Sequence, residues 1–246
     1  MGNPRIVCSL CVSKENCTYR ATKMSRSFGP EAESALTHRP SLHVSSVAQL
    51  ASVMQEATVA VVSSGNVAAA AAAYAARAGM KAVVLMGPNK LEVQEVETPA
   101  PGPQDVLINV QATAVCGSDV SLIAKPWEAQ PPYGSFIIGH EYAGIVAAVG
   151  STVDEFQVGD RVAVEASYGC GRCRNCRLGA YTACLNYGNR ERGHRANGFT
   201  TNGGFAQYAV NHINTVHKIP DSVEFNEAAL ITNLGCILYG FQTVGG

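Results

Sequence analysis

The sequence is short of charge of either sign and of long apolar runs, and both shortages narrow what the chain can be. Only 15% of its 246 residues are charged, 18 Lys and Arg against 19 Asp and Glu, for a formal net charge of −1. A balance this close to neutral gives no electrostatic footprint for nucleic acid or for an anionic membrane surface. No apolar run reaches the length of a membrane span. The first 25 residues also lack a basic stretch followed by an apolar one, so a secretory signal is not expected and the anticipated location is cytoplasmic. Aromatic residues are sparse, 7% of the chain with a single Trp. What remains is an apolar fraction of 47%, the composition of a soluble globular protein with one large domain or two small ones.

Cysteine, by contrast, is plentiful. There are nine, and four of them crowd into "GCGRCRNCRLGAYTAC", residues 169–184, as Cys170, Cys173, Cys176 and Cys184 in the spacing C-x2-C-x2-C-x7-C. In a cytosolic chain such a cluster is more often metal-binding than disulfide-bonded. A compact disulfide knot is disfavoured because two residues between successive cysteines leave too little chain to pair all four sulfurs without strain. Four thiolates close a tetrahedral zinc site against water, the arrangement of a structural zinc. That site has a formal charge of −2, which Arg172, Arg174 and Arg177 are placed to offset.

The organisation of the chain changes near residue 80. Residues 1–50 show little periodicity and are not assigned structure. In "TVAVVSSGNVAAAAAAYAARAG" a short apolar strand is expected over 58–62, then a turn at Ser63–Asn66, then an Ala-rich helix over 67–78 that Gly79 ends. From Met80 onward, short strands with frequent Gly and Pro take over. "KAVVLM" and "LEVQEV" flank the turn "GPNK", and "TPAPGPQ" is a rigid loop. "DVLINVQATAV" alternates Val106, Ile108 and Val110 with Asn109 and Gln111, as a half-buried strand does. "GIVAAVG", "DRVAVE", "GFAQYAV" and "NTVHKIP" follow, and a helix is expected from about Glu227 to Gln242. The fold class is therefore mainly β, a barrel or sandwich, preceded by a short α/β or disordered segment at 1–79.

A second set of metal-ligating residues is dispersed. "VCGSD" puts Cys116 at the end of a strand, and "IIGHEYAGIVAAVG" puts His140 and Glu141 just before another. A thiolate, an imidazole and a carboxylate with water in the fourth position form a catalytic zinc site, which polarises an alcohol or carbonyl oxygen. Ser118, two residues beyond the cysteine, is placed to relay a proton. Read singly, each residue has an ordinary role, since a lone Cys is usually buried packing and a His–Glu pair usually surface.

Taken together, "CGSD", "GHEYAG" with Gly150 following, "VGDRVAV", the four-cysteine lobe and "GGFAQYA" before "KIPD" resemble the catalytic domain of zinc-dependent medium-chain alcohol and polyol dehydrogenases. The likeness runs over residues 80–246, and "MKAVVLMGPNKLEVQEV" is similar to the sorbitol, threonine and butanediol branch. The resemblance implies a GroES-like β-barrel and hydride transfer between a secondary alcohol or polyol and NAD(P). It implies one catalytic zinc on Cys116, His140 and Glu141, a structural zinc on the four cysteines, and Ser118 at the start of a proton relay. Two positions depart from the pattern. Thr232 and Asn233, with Cys236 a turn on, stand where many relatives have a Glu or Cys at the zinc, and Ser121 stands where relatives often have a relay His.

A nicotinamide-binding fold requires a Gly-rich strand–helix turn, and no G-x-G-x-x-G occurs. The dinucleotide (Rossmann) domain is thus expected to be absent, the chain stopping before it at "TVGG" and leaving no bound cofactor of its own. The alternative expectation is a non-catalytic zinc-binding protein that keeps the barrel. Self-association is expected if an apolar face is left open. Phe199, Thr200 and Trp127 are expected in core or loop roles rather than lining a substrate pocket. Upstream, residues 50–86 weakly resemble a fragment of threonine synthase and related pyridoxal-phosphate enzymes, which implies cofactor contact for Asn66 and carboxylate contact for Ser63–Gly65; further upstream "KENCTYRATKMSR" faintly resembles the segment carrying their Schiff-base lysine, which implies that role for Lys23. That fold needs far more chain to build a core. A zinc-ribbon nucleic-acid binder is opposed by the net charge and by the lack of basic–aromatic interleaving outside the lobe.

Overall fold

A computed structural model describes Ile6–Cys8, Leu42–His43 and residues 80–244. Its strands are β1 (Ile6–Cys8), β2 (Leu42–His43), β3 (Met80–Gly87), β4 (Lys90–Val96), β5 (Asp105–Val115), β6 (Phe136–Ile137), β7 (Tyr142–Val149), β8 (Arg161–Val164), β9 (Ser167–Tyr168), β10 (Arg195–Ala196), β11 (Tyr208–His212) and β12 (Val216–Lys218). The helices are α1 (Gly117–Ala124), α2 (Arg174–Arg177), α3 (Phe225–Ala228) and α4 (Ile231–Thr243). The strand expected over 58–62, the Ser63–Asn66 turn, the helix over 67–78 and Lys23 lie outside the described residues.

β5 organises the larger sheet. Its eleven residues pair antiparallel with β7 along one edge, from Val106 opposite Val149 to Thr113 opposite Tyr142. Two register shifts, at Leu107/Ile108 and Val110/Ala112, increase the local twist and bend the pair. β8 and β12 extend the sheet beyond β7, while β11 and the parallel β1 share the other edge of β5 at opposite ends. The second sheet runs β2–β4–β3–β6. Residues 205–207 join the sheets: Val83 N–H donates to Phe205 O (2.8 Å), Gln207 N–H to Lys81 O (3.1 Å) and Val110 N–H to Gln207 O (3.0 Å). The result is the expected mainly β, barrel-like fold.

β-branched residues line the interior, where the pleat places them on one face. Val106, Ile108, Val146, Val162 and Val164 form one cluster with Tyr142. Val83, Leu85, Leu91, Leu122, Phe136, Ile138 and Phe205 form another beside α1. A third cluster packs Ala112, Ala143 and Ala163 of β5, β7 and β8 against Ala228 and Ala229 at the end of α3. Methyl side chains let that helix pack close to the sheet.

Two expectations need correction. β5 is more than half buried, because Leu107 and all of Ala112–Val115 are also covered instead of facing water. The single helix expected over 227–242 is two, with the chain bending at Ala229–Leu230.

Candidate functional site

Cys116 sits at the junction where β5 becomes α1, with extended dihedrals (φ −99°, ψ 155°). Its N–H donates to Asp119 Oδ2 (2.8 Å), which fixes the first turn of the helix under the thiol. His140 and Glu141 arrive from the other side. Gly139 turns the chain with φ +95°, and a Cβ there would collide with the Phe205 ring. The carbonyl of Glu141 then accepts from Ala114 N–H (2.8 Å) and Thr113 Oγ1 (3.1 Å), locking this strand entry to β5. Two sheet strands thereby bring together residues 24 apart in sequence, and the ligand atoms of Cys116, His140 and Glu141 all lie within 4.8 Å of one another.

The surroundings of these atoms are buried and rich in acceptors. His140 is 4% exposed, Glu141 1% and Asp119 0%. His140 Nε2 lies 3.2 Å from Ser118 Oγ and 3.8 Å from Glu141 Oε1. His140 Nδ1 lies 3.2 Å from Asp119 Oδ1, close but not aligned as a hydrogen bond. Glu141 Oε2 is buried with no partner. An unpartnered buried carboxylate is costly, and a cation removes that cost. Burial works against protonating His140, but the Asp119 carboxylate and the Cys116 sulfur outweigh it and hold the imidazole up to about 10. The His140 hydrogen bond pulls the Cys116 thiol below its ordinary value against the effect of burial, with help from Ser118. A tetrahedral zinc with bonds of about 2.0–2.3 Å spaces its ligands by roughly 3.3–3.8 Å, so this donor set fits one with small side-chain adjustments.

Phe199 lies against the imidazole of His140, ring centroids 4.4 Å apart, and stacks on Trp127 at 5.1 Å. Both pack on the core as expected, and Phe199 also covers one side of His140, with Trp127 behind it. Thr200 is fully buried and accepts from Ala196 N–H, an ordinary structural role. Thr232 donates to Val164 O (3.4 Å), while Cys236 is exposed and belongs to neither group of ligands. Ser121 is exposed.

The four cysteines of the lobe also converge, their sulfurs within 4.8 Å of one another. None of the six described cysteines is in a disulfide. Backbone N–H groups of Cys170, Cys173, Cys176 and Asn186 point at the sulfurs over 3.4–3.5 Å, and Asn186 Nδ2 donates to Cys170 Sγ (3.1 Å). That amide pushes Cys170 down to about 6, whereas burial and the neighbouring Cys173 hold Cys176 up to about 12. Four sulfurs this close cannot all ionise without a cation among them. The donor set again fits zinc. Tyr181 ties the lobe to the barrel through a 2.5 Å hydrogen bond to Glu165.

Sequence reasoning assigned no role to Asp119 or Asn186. The acid three residues after Cys116, at a helix start, is a capping signal that marks Asp119. Nothing local marks Asn186.

Residues 102–221 match the family model of the alcohol dehydrogenase GroES-like domain. Over that stretch the chain is similar to the alcohol dehydrogenase GroES-like domain. It is 37% identical over 155 residues to L-threonine 3-dehydrogenase of Deinococcus radiodurans, covering 61% of this chain and 42% of that protein. It is 38% identical over 159 residues to sorbitol dehydrogenase of Bacillus subtilis, covering 62% and 42%. The cobalt- and zinc-bound thermostable alcohol dehydrogenase of Pyrobaculum aerophilum superposes with TM-score 0.55 at 33% identity, over 62% of this chain and 44% of that one. The chain spans about two-fifths of the length of the curated relatives it matches. Among the described residues no helix is long and apolar enough to cross a membrane.

Proposed function

We infer that this chain supplies the zinc-binding catalytic half of an oxidoreductase that moves a hydride between a secondary alcohol or polyol and NAD(P). The observation that carries this reading is the convergence of Cys116, His140 and Glu141 within 4.8 Å, with Glu141 Oε2 buried and unpartnered. A zinc ion bound there supplies Lewis acidity, which lowers the pKa of an alcohol hydroxyl. The chain's own residues do the rest. Asp119 orients the imidazole of His140 from behind. Phe199 and Trp127 exclude water from one side of the site, which strengthens every charge interaction in it. Ser118 Oγ, half-buried and 3.2 Å from His140 Nε2, accepts the proton that the hydroxyl gives up and passes it toward solvent. NAD(P) would supply the hydride acceptor, so that alcohol and oxidised cofactor would give ketone, reduced cofactor and a proton. The four-cysteine lobe holds a second zinc with a structural role. A cytoplasmic location and self-association belong to the same reading.

Elemental analysis of protein purified without added metal tests it. Two zincs per chain are expected, falling to one in Cys116→Ser with the fold retained, while Cys173→Ser loses its zinc and unfolds at lower temperature. A single zinc that survives Cys116→Ser overturns the catalytic centre and leaves a zinc-stabilised barrel.

A further inference from the structure

Half of the twelve arginines lie between Arg172 and Arg195, where Glu191 is the only carboxylate. Offsetting a formal −2 on a four-thiolate zinc site leaves this short stretch about three positive charges in surplus. The surplus is organised. Arg172, Arg174, Leu185, Asn186 and Arg192 surround a cleft of about 540 Å³ beside Cys173, and no carboxylate lines it. Two of the guanidinium groups are held in place by neutral acceptors. Arg172 donates from Nε to Arg192 O (3.0 Å) and from Nη2 to Glu191 O (3.2 Å). Arg192 Nη1 donates to Asn186 Oδ1 (3.3 Å). Among the described residues Arg174 has no side-chain partner, and no ion pair joins any of the three to an acid.

We propose that this cleft binds the phosphate group of a small anionic ligand. Guanidinium forks match phosphate oxygens in pairs, and groups already fixed by the protein lose little freedom on binding. The cleft has the size of a small-molecule site. Asn186 connects it to the lobe, because the amide that accepts from Arg192 also donates to Cys170 Sγ (3.1 Å). Phosphate affinity therefore depends on a closed, metal-loaded lobe, and to that extent the proposal rests on the reading above.

The test is titration of the zinc-loaded full chain with inorganic phosphate, followed by 31P line broadening, with zinc content measured on the same samples. Saturable binding is expected, weakened about tenfold in Arg192→Gln and in Arg174→Gln and unchanged in Arg177→Gln, which lies outside the cleft. Arg174→Gln removes no bond within the protein, so it reports on the ligand even if Arg192→Gln disturbs the lobe. Absence of saturable binding to a zinc-loaded chain overturns the proposal. So does equal weakening by Arg177→Gln, which marks diffuse charge. An oligothymidylate that binds far more tightly than phosphate, with a steep salt dependence, overturns it in favour of a nucleic-acid surface.

Discussion

Asp119 shows how one residue serves two partners. One carboxylate oxygen receives the Cys116 N–H and the other faces His140 Nδ1 at 3.2 Å, so the thiol and the imidazole share one orienting group. Such outer partners orient the ligands of a metal site and so tune its affinity. Asp119→Asn keeps an acceptor for Cys116 and removes the negative charge behind the imidazole. Zinc affinity at this centre is expected to fall about 10–100-fold in chelator competition, with the lobe zinc unaffected; equal weakening at both sites contradicts an orienting role. Glu165 holds the lobe against the barrel in a similar way, between Tyr181 and His217. Its hydrogen bond raises His217 above the ordinary value of 6.5. Burial opposes ionisation of Glu165, but His217 and Tyr181 win and bring it below 4.5. The Glu165 contribution is complete above pH 4.5 and is lost as pH falls through its lowered value, while the His217 contribution is complete below pH 6.5 and is lost as pH rises through its raised one. With the imidazole half exposed, the pair contributes no more than about 1 kcal/mol. His217→Gln is expected to lower the melting temperature near pH 5.5 and leave it unchanged near pH 9, as followed by thermal unfolding.

At the scale of elements, the turn into β7 decides whether the cluster assembles. Gly139 holds φ +95° with the Phe205 ring against it, and it places His140 and Glu141 on the strand that β5 fixes. Gly139→Ala combines a strained dihedral with a clash against a fully buried ring, and is expected to cost about 2 kcal/mol or more in denaturant unfolding and to weaken zinc at the centre. An unchanged midpoint contradicts this view of the turn. The elements themselves were largely legible in the sequence. β5 runs over Asp105–Val115 as its alternation suggested, and the hairpin of β3 and β4 turns at "GPNK". The three residues whose donor atoms converge were legible because their motifs are local: a cysteine at a strand end and a His–Glu pair before the next strand. What was not legible depends on tertiary contact. Ala112 of β5 is buried against α3, which periodicity cannot show. Phe199 reaches His140 from 59 residues downstream, and Asn186 meets Cys170 only when the lobe closes.

For the whole molecule the decisive feature is α4. Its thirteen residues carry no charge, and none of them is buried. Leu234, Ile237, Leu238 and Phe241 are 53–63% exposed and fall at the i, i+3, i+4, i+7 spacing of one helical stripe, continued by Val244 at 81%. A stripe of this kind in contact with water favours association, since burying each large apolar side chain is favourable by about 1.5–3 kcal/mol. The near-neutral net charge of −1 offers little long-range repulsion to oppose it. The full chain is therefore expected to associate as its concentration rises, and the double substitution Leu238→Glu with Phe241→Glu to shift it toward the monomer. Light scattering across a concentration series distinguishes the outcomes. Loss of association with zinc content intact places the contact on α4, because these two positions lie outside both ligand clusters. Association that persists in the variant assigns it to another surface, and salt then disperses a charged contact where it leaves an apolar one in place.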